Sequence, residues 1–124
     1  MNDKPALSVD VVSDVVCPWC FLSMRNLQLA LADLRDIDVM VRWRPYQLDP
    51  TIPSEGLDRK AYMVQKFGSL ERIEAAHDRL REMGAAAGIS YDFAAIKVAP
   101  NTLDAHRVIR WAATAGDYVQ NRLV

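Results

Sequence analysis

At 124 residues, with 51% hydrophobic and 25% charged side chains, the chain has the composition of one globular domain and not of a disordered or fibrous one. A formal net charge of -1, with Lys and Arg scattered among acids, leaves no cationic surplus for a phosphate backbone and excludes nucleic acid from the expected partners. No apolar run is long enough to span a bilayer, and Met1-Asn2-Asp3-Lys4-Pro5 has neither the apolar stretch nor the small-residue cleavage site of a secretory signal. Membranes are therefore excluded as partners and the expected location is cytoplasmic.

Leu7 to Ser13 alternates Leu7, Val9 and Val11 with Ser8, Asp10 and Val12, which predicts a strand with one buried face. From Pro18 to Leu34 the period becomes helical: Cys20, Met24, Leu27, Leu31 and Leu34 draw one apolar stripe, Pro18 takes the first helical position and Cys17 the N-cap. Val39, Val41 and Trp43 then alternate with Met40, Arg42 and Arg44 until Pro45 stops a second strand. Strand, helix and strand at this spacing predict a β-α-β unit with parallel strands, the Arg-bearing second strand at a sheet edge. Tyr46 to Gly56 reads as a loop. Helices are expected over Asp58–Phe67, stopped by Gly68, and over Ser69–Ala87, stopped by Gly88. Ile89 to Pro100 reads as irregular, and Asn101 as the cap of a helix running to Ala115. Asp117 to Val124 looks like the opening of one more helix.

The only two cysteines, Cys17 and Cys20, stand three apart at the start of the first helix. A helix N-terminus presents unpaired N–H groups and the positive end of the dipole, which favour thiolate over thiol. Cys17 holds that position, whereas the apolar stripe places Cys20 on the buried side. The asymmetry suits dithiol exchange, with Cys17 as nucleophile and Cys20 as resolving thiol. Zinc sites use the same spacing but need two further ligands, and His77 and His106 lie on separate helices among apolar neighbours, so no metal and no other cofactor is expected.

The segment Val12-Ser13-Asp14-Val15-Val16-Cys17-Pro18-Trp19-Cys20-Phe21 resembles the active-site region of FrnE-type DsbA-like proteins. Arg42 to Pro50, Ile52 to Gly56 and Asn101-Thr102-Leu103-Asp104-Ala105-His106-Arg107 are similar to three further segments of that family. The resemblance implies an α/β fold: a thioredoxin-like β-α-β unit over residues 1–50 carrying the Cys-Pro-Trp-Cys site, then a helical insertion over 51–124. It also implies a C-terminal half, entered through a Gly-Val-Pro segment, that this sequence does not contain. The expectation is a chain cut short, with an open sheet edge that promotes self-association. Related kappa-class glutathione transferases and 2-hydroxychromene-2-carboxylate isomerases have serine in place of the nucleophilic cysteine, so Cys17 favours dithiol chemistry over glutathione-dependent isomerisation.

The expected activity is that of a thiol-disulfide oxidoreductase or isomerase acting on protein or small-molecule thiols and disulfides, glutathione among them. The alternatives are a catalytically impaired fragment serving as an interaction module, or a glutathione-dependent transferase or isomerase. Pro18, Trp19, Asn101 and His106 are the candidate substrate-binding residues, the last two because the resemblance sets their helix start beside the active-site cleft. Asn101 also reads simply as a cap and His106 as a core histidine. Asp14 reads as a solvated turn residue at a strand end, and as a proton acceptor only if buried. His77 reads as packing, and Arg42 and Arg44 as a solvated strand face.

Overall fold

The structure, a computed structural model, describes residues 4–124. They fall into two compact units: the residues up to Leu48 together with Thr102–Val124, and Asp49–Asn101 between them. This differs from the expected division at residue 50, because the last two helices return to the first unit.

In the first unit, β1 (Ala6–Ser13), α1 (Pro18–Asp33) and β2 (Asp38–Pro45) form the expected β-α-β unit. The strands run parallel in register from Ala6 opposite Asp38 to Ser13 opposite Pro45. Alternation along β2 turns Val41 and Trp43 into the core, where they meet Ile109 of α4 (Leu103–Ala112). Met24, Leu27 and Leu31 of the predicted α1 stripe pack against that cluster, with Val11, Val39 and Val124. Leu7 and Leu34, placed by periodicity on buried faces, are exposed because they lie at the ends of their elements.

Asn101 was expected to cap α4, but the N-cap position is held by Thr102. The helix closes in a 3-10 turn over Ala113–Ala115, and Gly116, at φ 113°, takes the backbone into α5 (Asp117–Leu123). Helix α5 seals β2. Gln120 accepts from Trp43 N at 2.9 Å and donates to Trp43 O at 3.1 Å, while Asn121 donates to Val41 O at 2.7 Å. Two side-chain amides thus occupy the edge where another strand would bond. Arg42 pairs with half-buried Asp117 and Arg44 with exposed Asp10, each at 3.5 Å.

The second unit holds β3 (Leu57–Asp58), α2 (Arg59–Phe67), α3 (Leu70–Ala86) and β4 (Val98–Ala99), with β3 and β4 antiparallel. Local chemistry sets the helix bounds. Asp58 accepts from Ala61 N, Gly68 adopts φ 89° to end α2, and Ser69 accepts from Arg72 N. The stretch expected to be irregular contains β4 and a 3-10 turn over Phe93–Ala95 started by Asp92. Ile73, Leu80, Ala87, Ile89 and Phe93 are buried here. A β-carbon at Gly84 would come within 2.6 Å of the Tyr91 ring, so that ring packs directly on the α3 backbone. Among the described residues no helix is long and apolar enough to cross a membrane.

Candidate active site

Strand β1 ends at Ser13, and the chain turns through Asp14 so that Cys17 N donates to Asp14 O at 3.3 Å. Cys17 then sits at the α1 N-cap with extended backbone, φ -86° and ψ 116°, and its carbonyl accepts the first helical bond from Phe21 N. Pro18 at the first helical position costs no hydrogen bond, since the N–H that it lacks would have had no partner in the helix. Both cysteines are free thiols and half-buried. Burial pushes the Cys20 thiol above its ordinary value of 9.0, and the Cys17 sulfur beside it, by hydrogen bonding and by charge, adds to the effect. A hydrogen bond with the Asp14 backbone works the other way, and the Asp14 charge raises the thiol further. Burial thus keeps Cys20 in its protonated thiol form.

Asp14, expected in solvent, is buried at 3% exposure. Its Oδ2 accepts from Leu48 N at 2.9 Å, and its Oδ1 accepts from His106 Nε2, also at 2.9 Å. A carboxylate only accepts, so His106 donates from Nε2, and its Nδ1 is buried without a hydrogen-bond partner. Two segments distant in sequence are thus fixed to the turn that precedes Cys17. No local pattern announces this: the partner of Asp14 is 92 residues away. Asp14 and Cys20 also line one cavity of about 90 Å³, with Met24 and Trp43 in its wall.

Residues 8–124 match the DSBA-like thioredoxin domain family. The chain belongs to that family. A solved structure described as a probable DsbA oxidoreductase from Streptomyces coelicolor superposes with a TM-score of 0.72 at 28% identity, over 88% of this chain and 47% of that one. The chain thus spans about half the length of that relative. No curated protein matches it. The β-α-β unit with its attached helices is accordingly part of a thioredoxin-like DsbA fold.

In this DsbA-like chain, Trp19 is 41% exposed, in company with exposed Val15, Val16 and Phe21, so apolar surface flanks the cysteines. The cavity behind Cys20 is too small to hold an organic molecule. His106, a candidate substrate contact, is buried at 5% exposure and bonded to Asp14. Asn101 belongs to the second unit, where its Nδ2 donates to Ile52 O at 2.7 Å. His77 is buried as expected, stacked on Phe93 with ring centroids 3.9 Å apart.

Proposed function

We propose that this DsbA-like chain carries out thiol-disulfide exchange through Cys17 and Cys20. The observation that supports this most is the unequal placement of the pair: burial and the neighbouring sulfur keep Cys20 a thiol, whereas Cys17 stands at the N-cap of α1, the position suited to the attacking group. In the reducing direction, the Cys17 thiolate attacks a substrate disulfide, a Cys17–substrate bond forms and one substrate thiolate leaves. Cys20 gives up its proton and attacks the Cys17 sulfur. The Cys17–Cys20 disulfide forms, the second substrate thiol departs, and two electrons have passed from the dithiol to the substrate. The same steps reversed oxidise a substrate dithiol. Asp14, buried beside Cys20 in the same cavity, is the group suited to take the Cys20 proton.

The exposed apolar surface of Val15, Val16, Trp19 and Phe21 suits a polypeptide bearing the thiol or disulfide, with glutathione as the small partner. The segments Arg42 to Pro50 and Asn101 to Arg107 support a place among the FrnE-type members. Trapping tests the assignment of roles. Oxidised glutathione should leave one glutathione on Cys17 of the Cys20→Ser variant, detected by mass, and almost none on the Cys17→Ser variant. Equal capture by both variants would contradict it.

A further inference from the structure

The second unit contains a pocket of about 590 Å³, well inside the roughly 300–1,000 Å³ typical of small-ligand sites. Every residue that lines it belongs to Asp49–Asn101, so it is separate from the cavity at Cys20. Its charges are unbalanced. Arg59, Lys60, Arg81 and Lys97 reach it, against the carboxylates of Asp58 and Glu74. Asp58 is engaged in capping α2 through Ala61 N, and Glu74 lies 3.8 Å from Arg81 and 3.5 Å from His77. Among the described residues, Arg59, Lys60 and Lys97 have no carboxylate within ion-pair distance.

Arg59 is the unusual one. It is half-buried and lies over the Phe93 ring at 5.9 Å, with its Nη2 3.5 Å from His77 Nε2. Neither neighbour is an anion. His77 is 5% exposed and lines the same pocket, with its Nδ1 turned to Glu74 Oε1 at 3.5 Å. The β3–β4 pairing then sets a second cation next to the first, since Arg59 N donates to Lys97 O at 3.0 Å. Like charges at neighbouring positions across a strand pair destabilise a fold that has no anion between them. The rest of the wall is apolar, with Ile73 and Phe93 buried and Met63 and Leu70 beside them.

We infer that this pocket binds a phosphate monoester carried on a small apolar body. The guanidinium offers parallel N–H donors to phosphate oxygens, Lys60 and Lys97 supply the remaining charge for a dianion, and the apolar wall holds the body. This ligand site is independent of the proposed thiol chemistry and stands or falls without it.

Amide NMR on the full chain tests it with three probes: phenyl phosphate, phenol and inorganic phosphate. Phenyl phosphate should shift the Arg59, His77, Phe93 and Lys97 amides saturably below about 10 mM, with phenol and inorganic phosphate each at least about tenfold weaker. Arg59→Gln should weaken phenyl phosphate by about tenfold, and Lys97→Gln, at an exposed position that folding does not need, by about threefold. Absence of saturation, inorganic phosphate binding as tightly as the ester, or unchanged binding in Lys97→Gln would overturn the inference.

Discussion

Gln120 takes the place of a β-strand for Trp43. Its Oε1 accepts from Trp43 N at 2.9 Å and its Nε2 donates to Trp43 O at 3.1 Å, with the side chain only 1% exposed. The same Nε2 donates to Ile109 O at 3.1 Å, so one amide joins β2, α4 and α5. A leucine of similar size would keep the packing and leave those backbone groups buried without partners, at about 1–3 kcal/mol for each. Gln120→Leu should therefore lower the unfolding free energy by about 2–4 kcal/mol in chemical denaturation. A loss no larger than that of a surface substitution would show that the edge is satisfied in some other way.

The Asp14–His106 pair predicts coupling. Removing either partner strands the other in a buried site, a change that typically costs about 3–5 kcal/mol, whereas removing both costs less than the sum. Asp14→Ala and His106→Ala should each destabilise on that scale, with an interaction energy of about 1–3 kcal/mol in the double-mutant cycle. Additive losses would mean that the 2.9 Å contact contributes little.

His77 gives the fold a pH dependence. Burial is the main cause holding its imidazole below the ordinary value of 6.5, and the Arg59 and Arg81 charges add to it, outweighing Glu74. The folded state therefore resists protonating His77 while the unfolded chain accepts the proton. Stability is full above about 6.5 and falls as pH drops through that value towards the lower folded one. Replacing His77 with Phe should flatten this part of the profile of unfolding free energy against pH between about 7 and 5, relative to the parent chain. An unchanged slope would assign the effect to other groups.

What the sequence disclosed was what local chemistry decides. The alternation of β2, the α1 stripe, the Cys17 N-cap with Pro18, and the stop at Gly68 followed by the start at Ser69 all follow from residues within a few positions of one another. The features that went unseen depend on distant partners. Asp14 looks like a solvated turn residue until His106 and Leu48 close over it, and nothing local marks Gln120 until β2 lies beside it. The division of residues 51–124 between the two compact units was hidden for the same reason. Helices α4 and α5 are amphipathic in either unit, and only the contacts of Ile109 and Gln120 with Trp43 decide that they belong with the first.

The most direct test of the central claim is equilibration of the chain in glutathione buffers from reducing to oxidising, followed by rapid alkylation and mass measurement. The proposed dithiol chemistry predicts a single two-electron transition in which Cys17 and Cys20 pass together from two alkylated thiols to one intramolecular disulfide. Alkylation of both cysteines at every poise, or oxidation that stops at separate glutathione adducts, would contradict it.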